Sequence, residues 1–235
     1  MKKSIHVNHA WTKGLMAAAV ACLLVFSGAM AWATPLNYEL SGVTFPVSAN
    51  LVLDYNPSTS TLAIDLTNTS TVPVTSSITA FAFNVPAEVS GINSYSFPSN
   101  WSVLPSLYTP DTIPGNSINT PGNFGFFDVA GVTNSTSGFN GGTVSSGIPQ
   151  NDTFSFSIEF SGTNLNTLTT GSFYQLSAPQ NSNSNLQPFI ARFQGIDFGS
   201  GEDESDVAIV PIPAAILLFG PGLLGLAGLR RKFRA

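Results

Sequence analysis

Between Phe154 and Phe160 the chain alternates with a period of two: Phe154, Phe156, Ile158 and Phe160 are separated by Ser155, Ser157 and Glu159. Successive side chains of an extended strand point to opposite faces, so this stretch buries one face and wets the other only as a β-strand. Leu62, Ile64 and Leu66 alternate in the same way with Ala63, Asp65 and Thr67. Ile78 to Val85 is apolar on both faces except at Thr79 and Asn84, the pattern of a central strand covered on two sides. Further strands are expected over 36–45, 50–55, 94–104, 123–129 and 188–196. Turn chemistry separates them at Asn56-Pro57-Ser58, Pro114-Gly115-Asn116, Pro121-Gly122-Asn123 and Asn140-Gly141-Gly142. Only 165–176 has the pattern of a helical turn or two.

Eight or so short strands at this spacing predict an all-β fold, an antiparallel β-sandwich of jelly-roll type. The stretch from Thr34 to Gly199 is long enough for one such domain with a proper core. The segment 105–121, punctuated by Pro, and the run 133–147 of Thr, Asn, Ser and Gly read as long loops, where function on a rigid scaffold concentrates.

Charge divides the chain more sharply than any motif. All thirteen Asp and Glu lie between Glu39 and Asp206, whereas seven of the eight Lys and Arg lie outside that interval and only Arg192 lies within it. Thirteen carboxylates against one cation leave the middle at a net −12. Such a surface repels nucleic acid and anionic lipid, so neither is an expected partner. His6, His9 and Cys22 all fall in the first 33 residues, and the middle has no Lys. Without them a Ser-His-Asp or Cys-His constellation, a thiolate or imidazole zinc site and a Schiff-base lysine are out of reach. No cofactor is expected. The remaining catalytic class is paired-carboxylate glycoside hydrolysis, for which Asp128 and Glu159 are the nominal members, although scattered surface carboxylates explain them better. The chain is therefore not expected to be an enzyme.

The two ends read as membrane segments. Lys2, Lys3 and Lys13 precede the apolar run Gly14 to Met30, which closes on Ala31-Trp32-Ala33. This is the charged, apolar and small-x-small pattern of a secretory signal peptide over 1–33, with Ala31 and Ala33 at the cut made by signal peptidase. An uncleaved anchor, or lipidation at Cys22, is the alternative. At the other end, Pro211 to Leu229 is nineteen residues without a charge, about 28 Å as a helix, enough to cross the hydrocarbon of a bilayer. Arg230, Arg231, Lys232 and Arg234 follow and hold the tail on the cytoplasmic side, which places everything before Val210 across the membrane.

The motif at the head of that segment, Val210-Pro211-Ile212-Pro213-Ala214-Ala215, followed by the apolar run and the basic cluster, resembles the PEP-CTERM and VPxPA sorting signals. Ile212 stands where the commonest form has Glu, so the VPxPA variant is the nearer match. The resemblance covers residues 210–235 and implies an exosortase-like membrane protease that recognises the segment and cuts near Val210, Pro211, Pro213, Ala214 and Ala215. It further implies a protein exported across the inner membrane, briefly anchored, and then placed at the cell surface or in the extracellular matrix. The middle is loosely similar to the Ser/Thr/Asn-rich β domains that precede such tails, notably through Phe189-Ile190-Ala191-Arg192-Phe193-Gln194-Gly195. A structural or adhesive role follows, with extracellular polysaccharide as a candidate partner.

Three features of the middle bear on binding. Tyr95, Trp101 and Tyr108 fall close together, and aromatic faces on β-sandwiches stack on sugar rings, although aromatics in strands are more often core. Asp197 and the run Glu202, Asp203, Glu204 and Asp206 offer oxygen ligands for Ca²⁺ but lack the pattern of a calcium loop. The acidic run, over 200–209, reads better as a solvated spacer between domain and membrane. Four Asn-x-Ser/Thr sequons occur, at Asn68, Asn100, Asn134 and Asn151.

Overall fold

The structure, a computed structural model, describes residues 34–72, 75–104, 117–140, 142–199, 201 and 203–211. Thirteen strands follow in chain order: β1 (Leu36–Gly42), β2 (Ser48–Asn56), β3 (Thr61–Asn68), β4 (Thr75–Phe83), β5 (Val89–Ser96), β6 (Ser102–Leu104), β7 (Ile118–Asn119), β8 (Phe126–Phe127), β9 (Val129–Val132), β10 (Ile148–Pro149), β11 (Thr153–Gly162), β12 (Phe189–Asp197) and β13 (Glu204–Ile209). The described helical pieces are short 3₁₀ turns, among them Leu165–Thr167 and Thr170–Phe173, where the sequence pattern allowed a turn or two.

The expectation of a predominantly antiparallel β fold holds, but the hydrogen-bond path is not that of two separate sheets. Ten strands run in one continuous order, β5-β11-β3-β2-β1-β13-β12-β4-β9-β6, and β10 also pairs β4. Every pairing is antiparallel. The two terminal strands, β5 and β6, are consecutive in the chain and joined by only five residues, 97–101. The sheet is therefore nearly closed on itself.

Closure is driven by the inner face. Phe81 on β4 meets Phe156 on β11 edge-on at 4.8 Å and stacks with Phe189 on β12 at 5.7 Å and Trp101 at 6.0 Å. Strands β4 and β11 are six steps apart along the hydrogen-bond path, yet their aromatics touch, so one end of the sheet packs over the other as the layers of a sandwich do. Burying each such ring contributes about 1.5–3 kcal/mol.

Strand β4 also explains its own two-sided apolar pattern. Phe81 and Phe83 point into the main core, while Ala80 and Ala82 join a second cluster on the outer face with Ile118, Phe124, Phe127, Val132 and Ile190. The methyl-sized side chains of Ala80 and Ala82 let the β7–β8 ribbon and the turn around Phe124 lie close against the sheet. Of the long 105–121 loop, only Ile118 to Pro121 belongs to the described part of that cover.

Two expectations are corrected. The stretch 94–104 is not one strand: Asn100 takes a left-handed backbone (φ 70°), the Trp101 amide bonds back to Pro98, and β5 and β6 separate to opposite ends of the path. The acidic stretch 200–209 is not a spacer over most of its length. Its second half is β13, paired to β1 on one side and to β12 along Ile190 to Ile196 on the other. Val207 and Ala208 are buried, and the Asp206 carboxylate is taken up by three backbone amides: Oδ2 accepts from Thr44 (2.9 Å) and Phe45 (2.8 Å), and Oδ1 from Val207 (2.8 Å). Charge at a strand edge is tolerated where dipoles of this kind receive it.

The far end of β3 is fixed by one buried amide. Asn68, fully buried, donates from Nδ2 to the carbonyls of Ser76 and Ile148, both at 3.1 Å, and accepts the Ser70 amide on Oδ1 at 3.1 Å. Its own backbone N–H donates to Asp152 and its C=O accepts from Asn151. The side chain thereby ties the end of β3 to β4 and β10, and the backbone of the same residue ties it to the entry of β11.

Candidate functional site

The aromatic platform expected from Tyr95, Trp101 and Tyr108 is not assembled by the described residues. Tyr95 on β5 is exposed and lies edge-on to Phe97. Trp101 is 6 % exposed, packs against Phe81 and Phe156, and donates its indole N–H to the Ser146 carbonyl at 2.9 Å. It is a core residue, because the kink at Asn100 turns its ring inward. Tyr108 lies outside the described residues.

The acidic candidates are dispersed. Asp197 closes a turn, accepting the Gly199 and Gly201 amides on Oδ1. Asp203 and Glu204 are exposed, and Asp206 is the buried amide acceptor described above. Glu202 lies outside the described residues. Among the described residues no three His, Cys, Asp or Glu side chains are close enough to hold a metal ion. Ala31, Ala33, Pro213, Ala214, Ala215, Arg230, Arg231, Lys232 and Arg234 also lie outside them. Val210 is half-buried and packed against the main core, and Pro211 is exposed. No helix among the described residues is long and apolar enough to cross a membrane.

Of the nominal carboxylate pair, Glu159 lacks the raised carboxyl that a general acid uses. Glu159 accepts from Asn93 Nδ2 at 3.0 Å and from Ser94 Oγ at 2.9 Å, and these bonds, the first foremost, hold its carboxyl below the ordinary glutamate value. A glycosidase acid is raised instead. Asp128 receives the Val85 amide on Oδ2 at 3.1 Å, while its own N–H donates to Asn84 Oδ1 at 2.8 Å. That reciprocal pair fastens the end of β4 to the start of β9.

Two further concave surfaces among the described residues carry polar side chains. A shallow groove of about 710 Å³ runs past the start of β4 and the start of β11, with Ser77, Gln150, Asp152 and Phe154 in its lining. A smaller and equally open depression of about 240 Å³ lies on the outer face of β12 and β13. It is the more defined of the two chemically, because Arg192 lines it.

This cavity follows from the local fold. β1 pairs with β13 only at Ser41 and Gly42, and the chain then swings away through Val43 and Thr44, anchored by their amides to the Val207 carbonyl and the Asp206 carboxylate. The Pro121–Asn123 turn forms the opposite wall, with Gly122 at φ 83°, a backbone that glycine adopts without strain. Arg192 sits opposite Val207 in the register, on the face that carries Ile190. Burial pushes its guanidinium below the ordinary arginine value. Its Nε is buried with no hydrogen-bond partner among the described residues. Thr44, Ser205 and Asp206 supply polar groups, and Phe124 and Val207 an apolar wall.

Sequence reasoning counted Arg192 as the one cation of an acidic interval and gave it no role. The signal that marks it is its position in an apolar strand pattern, between Ala191 and Phe193, where an unneeded charge is costly. Comparison with protein families, with curated proteins and with solved structures finds no match for this chain.

Proposed function

We propose that this chain is an exported surface or matrix protein, delivered by its C-terminal segment and structural or adhesive rather than catalytic in role. The observation that carries the proposal is the order of the tail: Val210-Pro211-Ile212-Pro213-Ala214-Ala215, an uncharged run to Leu229, then Arg230-Arg231-Lys232. The placement of the carboxylates supports it. All thirteen fall between the two apolar segments, on the part of the chain that the positive-inside rule assigns to the far side of the membrane.

In this reading the N-terminal segment starts export and signal peptidase removes it after Ala33. The apolar tail halts translocation, and an exosortase-like membrane protease cuts within Val210 to Ala215, releasing or transferring the β domain. The fold is compatible with a cut there, because β13 ends at Ile209.

The test is the intact mass and both terminal peptides of the protein recovered from envelope and medium. A chain that begins at Thr34 and ends before Leu217 is the expected product. A chain that still carries Leu217 to Ala235 in both fractions refutes processing and leaves a singly anchored protein.

A further inference from the structure

We propose that Pro211 and Pro213 are positioning residues for the cut: they stop strand β13 at Ile209 and keep the segment after it from zipping onto the open edge of β1. The structural half of this inference rests on strand pairing alone, and the functional half rests on the sorting reading above.

The two strands do not match in length. β1 runs from Leu36 to Gly42 and pairs with β2 from Leu36 to Ser41, but it pairs with β13 only at Ser41 and Gly42. The rest of that edge, 36–40, lies beyond the last residue of β13 in the register. In an antiparallel ladder the N–H and C=O of successive residues turn to alternate sides. The Gly42 N–H donates to Val47 O on the β2 side at 2.8 Å, and the Val43 N–H donates to Val207 O on the β13 side at 3.2 Å. The backbone groups of Asn37, Glu39 and Ser41 therefore turn toward the β13 side, and those of Val207 and Ile209 toward β1.

Carried past the Ser41–Ile209 pair, the same register would set Glu39 opposite position 211 and Asn37 opposite position 213. Both positions are proline, which has no N–H to donate and puts ring carbon in its place. The prolines thus stand at the two positions that would have to donate to β1. On the other flank β12 begins at Phe189, and the Ile190–Ile209 pairing sets Pro188 level with Pro211, so the ladder to β12 stops at the same height.

The side-chain pattern alone would favour a longer strand. Ala208 and Val210 lie on the main core, where Tyr38 also packs, and the sequence offers Ile212 for the next position of that face. Apolar alternation beside an unpaired edge invites pairing unless the backbone forbids it. A segment whose backbone is used in a ladder must be unzipped before a protease can take it. Prolines at this spacing leave the motif unpaired at the point where the domain ends.

The test compares the parent with Pro211→Thr/Pro213→Thr. Amide exchange is followed by NMR on the full chain in detergent micelles, made in a host that does not cut it, and processing by terminal-peptide analysis in the protein's own cells. The double variant is expected to slow exchange of the Asn37 amide about tenfold or more and to slow processing by a similar factor. Adding Glu39→Pro, at an exposed position whose N–H turns away from β2, blocks the new pairing from the β1 side and restores both while the motif prolines stay absent. Asn37→Pro, read at the Glu39 amide, replaces it if it does not fold. Unchanged exchange in the double variant overturns the inference, and so does slowed exchange with unchanged processing. Exchange restored by Glu39→Pro with processing still slow also overturns it, because the protease then reads the prolines themselves. A parent that is not processed at all removes the sorting reading, and the exchange comparison alone then decides whether the prolines stop the strand.

Discussion

Replacing Asn68 with Ala removes a side chain that links the ends of three strands at once. Three hydrogen bonds of 3.1 Å are lost, to Ser76 O, Ile148 O and Ser70 N. At about 1 kcal/mol net for each, with the carbonyls of Ser76 and Ile148 left short of a donor, the expected destabilisation is about 3–4 kcal/mol. For a domain of this size each kcal/mol lowers the melting temperature by roughly 2–4 °C, so Asn68→Ala should melt about 10 °C early. Asn68→Asp is the sharper perturbation. It keeps the acceptor for Ser70 but turns an oxygen toward two carbonyls, so it should match or exceed the alanine loss at neutral pH and recover part of it in acid, where the carboxyl protonates. Thermal and urea unfolding of the full chain, followed by the emission of core Trp101, measures both. A loss under about 1 kcal/mol for Ala, or an Asp variant more stable than Ala at neutral pH, refutes the role given to this amide.

The same burial closes the sequon at Asn68 to glycosylation, since the acceptor nitrogen is already bonded; in a glycosylating host, peptide mapping should find glycan at exposed Asn100 or Asn151 and none at Asn68. Gly131→Ala on β9 drives a methyl into the ring of Phe81 and should destabilise by about 1–3 kcal/mol, read from the urea midpoint. The depressed pKa of Glu159 means that its bonds to Asn93 and Ser94 stabilise the fold above the unfolded glutamate value, with that contribution lost as pH falls through the folded value. Carboxyl chemical shifts should show Glu159 titrating below an ordinary glutamate and should move up in Asn93→Ala; an unchanged titration counts against the assignment. Any processed form should end no earlier than Ile209, because a cut upstream removes part of β13; a stable domain ending at Asp203 would contradict the pairing described here.

Much of the sheet was legible because its strands bury one face. The alternation in β3 and β11 places Leu62, Ile64, Leu66, Phe156, Ile158 and Phe160 inward as expected, and the doubly apolar β4 is covered on both sides. Strand β13 was not legible: Glu204, Ser205 and Asp206 look like solvated spacer, and only the amides of Thr44 and Phe45, more than 160 residues distant in the chain, make Asp206 a strand residue. The break between β5 and β6 was hidden for a related reason. Trp101 suits a continuous strand by propensity, and the left-handed Asn100 that turns it inward is a backbone choice that residue type permits but does not dictate.

The position of β13 gives the chain an order of assembly. Without it the hydrogen-bond path falls into two ribbons, β5-β11-β3-β2-β1 and β12-β4-β9-β6, joined by no backbone ladder along that path. A chain that emerges from its N terminus presents both ribbons before the strand that bridges them. The six residues of β13 are thus a keystone set last, two residues ahead of Pro211, where the uncharged run begins. Completion of the domain and arrival of that run coincide in time, so a chain stalled a few residues short holds an open slot between two exposed strand edges, the geometry most prone to accept a strand from another molecule.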